Sequence, residues 1–155
     1  MFGFPPPQVI PTEVFATMPE AYRRAGTGAP RTRSGSGSVL EGPSFDRDGN
    51  LYITDIPNGR VFRIAPDGTL KLVAEYDGEP NGLKIHRDGR IFIADHRHGL
   101  MLLDAGTGTV TTFLEGPDKE RFKGVNDLIF ARNGDLYFTD QGQTGCTTAA
   151  AGSIG

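Results

Sequence analysis

Leu51 and Ile53 alternate with Tyr52 and Thr54, the period of two expected of a strand whose two faces differ. The run is preceded by the turn Asp46-Arg47-Asp48-Gly49, which closes a short segment from Pro43 to Phe45. After it, Asn58-Gly59 and Pro66-Asp67-Gly68 are turn signals that bound a strand over VFRI, and TLKLVAEY supplies a fourth. The pattern predicts an up-and-down sheet of four strands. It is then copied: GLKI, a turn at Arg87-Asp88-Gly89, RIFIAD, a turn at His98-Gly99, LMLLD, a turn at Gly106-Thr107-Gly108, and TVTTFL. A third copy begins with DLIF, Asn133-Gly134 and DLYFTD, and stops after Gly142.

Aligned on Gly49, Gly89 and Gly134, the phrases SFDRDGNLYITD, KIHRDGRIFIAD and IFARNGDLYFTD are one phrase written three times, at intervals of 40 and 45 residues. Such a period matches one four-stranded propeller blade, and closed propellers use about 4–8 of them. The expected fold is therefore all-β, a β-propeller with about two and a half blades in this sequence, as the front part of a larger protein. A two-faced sheet must bury both faces against neighbours, so these blades alone are expected to be marginally stable.

Three regions follow. Residues 1–38 read as an N-terminal extension and flexible linker: Glu20 to Arg24 can make a short helical turn after Pro19, and GTGAPRTRSGSGS (26–38) has no apolar face to bury. Residues 39–143 form the partial propeller. Residues 144–155, rich in Thr, Ala and Gly, depart from the repeat and read as an irregular tail.

Composition narrows the function classes. The net charge of −3 and scattered basic residues, apart from Arg23-Arg24 and the Arg31/Arg33 pair, disfavour nucleic acid as a partner. No apolar run is long enough for a helical membrane span, so no membrane partner is expected. The opening MFGFPPPQVIP has no basic n-region and is broken by prolines, which points to a cytoplasmic protein made without export. The single cysteine, Cys146, permits no internal disulfide.

Eight residues before each repeat glycine stands a polar group: Glu41, Asn81 and Asn126. The first strand of a blade lines the central channel, so these side chains are expected to converge at one mouth. Carboxylate and amide oxygens suit a hard divalent cation, which accepts about six to eight of them. The same residues can equally serve as polar caps on backbone groups where each strand starts. Asp55, Asp95 and Asp140, six residues after each glycine, recur in every copy, as a structural turn residue should. The segment from Asp46 superficially resembles a calcium loop, but Leu51 and Pro57 fall where an EF-hand requires glycine and glutamate. His96 and His98, with His86 elsewhere in the blade, lack a third ligand at an established spacing for zinc. No serine-hydrolase, zincin or nucleotide-binding motif is present in the sequence.

LEGPSFDRDGNLYITDIPNGRVFRI, EPNGLKIHRDGRIFIAD and FKGVNDLIFARNGDLYFTDQG together resemble the senescence-marker-protein/gluconolactonase/LRE-like family. The resemblance covers about residues 39–143, with EGP before the first blade and VND before the third in the family's order. It implies a six-bladed propeller and a metal-dependent enzyme that hydrolyses a sugar lactone or related cyclic ester, its partner being that small molecule. It further implies that Glu41 is a metal ligand, that Asn126 serves metal and substrate with Asp127 beside it as a second catalytic candidate, and that Asn81 lines the pocket. The implied cofactor is a divalent cation, calcium first and magnesium, manganese or zinc as alternatives, with an asparagine and an aspartate from later blades completing the ligand set. The alternatives are a non-catalytic NHL-like binding scaffold and a strictosidine-synthase-like or paraoxonase-like propeller. EGP at Glu41 followed by VND at Asn126 favours the gluconolactonase branch.

Overall fold

The computed structural model describes residues 6–23, 37–118 and 120–142. All of the predicted linker except residues 37 and 38 lies outside the described residues, as do Cys146 and the predicted tail. Among the described residues, ten strands follow a four-residue helix, α1 (Glu20–Arg23). The first sheet contains β1 (Leu40–Phe45), β2 (Leu51–Asp55), β3 (Arg60–Ile64) and β4 (Leu70–Glu75). The second contains β5 (Pro80–Ile85), β6 (Ile91–Asp95), β7 (Gly99–Asp104) and β8 (Thr109–Leu114), and the third β9 (Val125–Phe130) and β10 (Leu136–Asp140). Strands pair antiparallel in chain order in every sheet. These are blades of a β-propeller, two with four strands and a third with two strands described.

The alternation seen in the sequence sorts side chains to the two faces of each blade. Tyr52, Val61 and Ala74 of blade 1 pack with Leu83, Ile91, Ile93, Met101 and Leu103 of blade 2. From the opposite face of blade 2, Phe92, Ala94 and Leu100 pack with Val125 and Leu128 of blade 3. Burial of such side chains stabilises by about 1.5–3 kcal/mol each, which makes these interfaces the main cohesive element. The other face of blade 1, built on Ile53, Phe62 and Ile64, is covered by Ala16, Met18 and Tyr22 of the N-terminal extension. Tyr22 meets Phe62 edge-on at 5.2 Å between ring centroids, and the buried Arg60 donates to the Tyr22 carbonyl at 3.3 Å while pairing with Glu75 at 2.8 Å.

The recurring aspartates stand at the end of each second strand and tie it to the residues that lead into the first. Asp95, fully buried, accepts hydrogen bonds from the Tyr76 hydroxyl (2.8 Å) and from the backbone N–H groups of Glu79 (2.9 Å), Arg97 (2.8 Å) and His98 (2.9 Å). Burial pushes the Tyr76 phenol well above its ordinary value, and the Asp95 carboxylate beside it adds to the shift. Asp55 accepts from Ser38 Oγ and the Val39 N–H at 3.0 Å each and from Asn58 Nδ2 at 2.9 Å. Asp140 accepts the Lys123 N–H at 3.0 Å and is exposed. The structural role expected from recurrence is the one these contacts describe.

Neighbouring inner strands approach each other closely, and glycine permits it. A Cβ on Gly82 would lie 2.4 Å from Asp127 Oδ1, 2.8 Å from its Cα and 3.0 Å from the Asn126 carbonyl. One on Gly42 would lie 2.6 Å from the Asn81 carbonyl oxygen and 2.7 Å from the Leu83 nitrogen, and the φ of +58° there already disfavours a side chain. Thr54 Oγ1 donates to the same Asn81 carbonyl at 2.7 Å, tying the two strands together.

Three outcomes are expected in the full-length protein. Asp95→Ala leaves four partly buried donors without their acceptor and lowers unfolding free energy by about 3 kcal/mol, whereas Asp140→Ala costs under about 1 kcal/mol, as read from urea denaturation. Gly82→Ala forces two backbones apart and costs about 2 kcal/mol, more than Gly106→Ala, whose Cβ meets only the side-chain oxygen of exposed Asp104. Near neutral pH the Asp88 carboxyl is held well below its ordinary value, first by the hydrogen bond with His86 and then by the Arg90 N–H. A depressed carboxyl pKa contributes stability that is present above the unfolded value, about 4, and is lost as pH falls further. Asp88→Asn should therefore flatten the acid limb of a Tm-versus-pH curve; an unchanged limb would contradict it.

Candidate functional site

Glu41, Asn81 and Asn126 do not stand just ahead of their strands but inside them, on β1, β5 and β9. The reason is a register shift that recurs in each blade. Between the pairs Glu41↔Thr54 and Ser44↔Tyr52, two residues oppose one, and the same happens between Pro80↔Asp95 and Leu83↔Ile93 and between Val125↔Asp140 and Leu128↔Phe138. A bulge of this kind interrupts alternation and re-aims the side chains beside it. The predicted strands begin after the bulge because the sequence there, EGP, NG and ND, does not alternate.

The bulges of three successive blades bring the candidates together. Glu41, Asn81, Asn126 and Asp127 line one cavity of about 210 Å³, with Gly42, Pro43, Gly82 and Lys84 completing its wall. Glu41 and Asp127 are exposed, and the two asparagines are half-buried. Asp127 is oriented by its surroundings: Oδ1 accepts the Leu128 N–H at 2.8 Å, and its own N–H donates to Thr139 Oγ1 at 3.2 Å. Lys84 Nζ lies 3.6 Å from Asp127 Oδ1 and donates to the Leu83 carbonyl at 3.1 Å.

The cavity offers oxygen donors of two kinds, two carboxylates and two carboxamides, and its wall holds neither histidine nor cysteine. That donor chemistry fits a hard dication such as calcium or magnesium better than a soft one. Among the described residues, no group of three or more His, Cys, Asp or Glu side chains is arranged to hold a metal ion. A dication here would therefore depend on the asparagine oxygens and on donors from outside the described residues.

The histidines are dispersed. His96 packs its ring over Gly124, so that a Cβ there would sit 2.5 Å from Cε1. His98 Nε2 is 2.6 Å from the Asp77 carbonyl. His86 Nδ1 is 2.8 Å from Asp88 Oδ1, with its ring 4.7 Å from that of Phe130. None of the three lines the axial cavity. Lys84 is the charged lining residue that the sequence does not single out. A signal for it exists: five residues before the repeat glycine, the other copies carry Ser44 and Ile129.

No helix among the described residues is long and apolar enough to cross a membrane. Lactonase drp35 of Staphylococcus aureus is 30% identical over 114 residues, a match covering 69% of this chain and 35% of that protein. The corresponding lactonase of Staphylococcus saprophyticus is 31% identical over 114 residues, with the same coverage. Among solved structures, a gluconolactonase from Xanthomonas campestris superposes with a TM-score of 0.62 at 26% identity, over 77% of this chain and 36% of that one. A streptogramin B lyase, at 20% identity and a TM-score of 0.54 over 66% of this chain and 34% of its own, shares the fold. The chain thus spans about a third of the length of the curated relatives it matches. The family described as "SMP-30/Gluconolactonase/LRE-like region" matches over residues 39–154, and the repeats, the blade arrangement and this match make the chain a member of that family of six-bladed propellers.

Proposed function

We propose that the full-length protein hydrolyses a sugar lactone or a related cyclic ester, with a divalent cation, calcium first, held at the axial cavity. The observation that carries this reading is the convergence of Glu41, Asn81, Asn126 and Asp127, one or two from each blade, on one cavity. The names of the relatives, lactonase and gluconolactonase, support the reaction class.

Glu41 and Asn126 are the residues proposed to hold the cation, which when bound polarises a carbonyl oxygen and stabilises charge developing on it. Asn126 has a further role in orienting the substrate, because a carboxamide can accept from a hydroxyl while donating to an ester oxygen. Asn81 also lines the cavity and binds substrate hydroxyls by the same chemistry. Asp127, whose Oδ1 accepts the Leu128 N–H, is the carboxylate among these residues assigned to help take a proton from an attacking water, alongside an acidic group from later blades. The product is a hydroxy acid, formed when water adds to the carbonyl carbon and the ring C–O bond breaks, with the proton passing to the leaving oxygen.

Removing even a group that only hydrogen-bonds to a metal ligand costs about 10–100-fold in affinity, so removing a ligand's own charge should cost at least about tenfold. Glu41→Gln in the full-length protein is expected to weaken calcium binding by that factor in calorimetry and to abolish hydrolysis of gluconolactone in a pH-stat assay, with the thermal midpoint unchanged. Wild-type calcium affinity in Glu41→Gln would overturn the assignment. His96→Ala should retain most of the turnover; a large loss at unchanged stability would move the chemistry to the histidines.

A further inference from the structure

Residues with a structural role recur from blade to blade, as Asp55, Asp95 and Asp140 do. Two residues at the axial cavity break the repeat instead, and they meet. Seven residues before the repeat glycine, blades 1 and 2 carry Gly42 and Gly82, and blade 3 carries Asp127. Five residues before it, blades 1 and 3 carry Ser44 and Ile129, and blade 2 carries Lys84. Lys84 pairs across its sheet with Phe92, whose side chain packs in the cluster between blades 2 and 3. That face carries the Lys84 ammonium to 3.6 Å from Asp127 Oδ1, across the interface between the two blades. The lysine side chain is 28% exposed and the aspartate 58%.

An ammonium on the wall of a cavity of about 210 Å³ acts on whatever charge enters it. It attracts the Asp127 carboxylate and repels a dication. It has two partners there, Asp127 and the Leu83 carbonyl. Asp127, held by Lys84 and by the Leu128 N–H, has its Oδ1 already engaged.

We infer that Lys84 is a positioning residue: it withholds the Asp127 carboxylate from the cation's ligand set and sets the cavity's affinity for divalent cations below what Glu41 and Asp127 together would give. The inference rests on the proposed cation site and deepens it, since a carboxylate kept off the cation stays available to a proton.

The test is calcium binding by calorimetry on the full-length protein, which does not depend on turnover. Lys84→Met removes the ammonium while keeping the length of the side chain, and it is expected to tighten calcium binding by about tenfold. Lys84→Arg keeps the charge and should bind as the wild type does, a rescue that a purely space-filling role would not require. Asp127→Asn in the wild-type background should change calcium affinity by less than about twofold, and in the Lys84→Met background it should remove a substantial part of the gain. Unchanged or weaker calcium binding in Lys84→Met, with Glu41→Gln still impairing binding, would overturn the role of Lys84 and leave the cation site standing. No calcium binding by either the wild type or Lys84→Met would overturn the cation site and this inference together.

Discussion

The approach of one inner strand to the next is the constraint on which the rest of this structure depends. Gly42 faces the Asn81–Leu83 backbone and Gly82 faces Asn126 and Asp127, in both cases at distances that exclude a β-carbon. At that separation Thr54 reaches the Asn81 carbonyl, and apolar residues of the flanking strands close over the interface. The close approach and the bulge lie at the same point of blades 1 and 2. The geometry that packs the blades is therefore also the geometry that groups their polar residues.

Electrostatics follow the same division between what recurs and what does not. The buried aspartates at the ends of the second strands are satisfied by backbone N–H groups and neighbouring side chains, so their charge acts locally to fix the blade's corner. Charge at the axial mouth is differently disposed. Glu41 and Asp127 remain exposed, and the cation paired with Asp127, Lys84, comes from the neighbouring blade. A site with one carboxylate already neutralised and another left open is one in which a ligand's charge decides how tightly it is held.

The N-terminal extension has a part in the packing that its composition conceals. Ala16, Met18 and Tyr22 cover the apolar face of blade 1, and Arg60 is anchored by the Tyr22 carbonyl and Glu75. At the other side, Ile129 and Tyr137 of blade 3 are 61% and 60% exposed. A blade has two apolar faces, and the covered ones have two kinds of partner. Blade 2 is packed on both sides by neighbouring blades, whereas blade 1 has blade 2 on one side and the extension on the other.

The sequence by itself determined the blades. The 40- and 45-residue intervals, the Asp-Gly and Asn-Gly turns and the period-two runs identified nearly every strand, because each is a local signal carried by adjacent residues. It also placed the polar triplet at equivalent positions and marked the recurring aspartates as structural. What it could not state is register between strands, which is why the first strands were expected to start late and the bulges at Glu41, Asn81 and Asn126 were not seen. Only the tertiary structure decided that Lys84 shares the cavity with Asp127 and that Tyr22 packs on Phe62. Both contacts join residues about 40 positions apart, across separately formed elements, and no pattern within either segment encodes the distance between them.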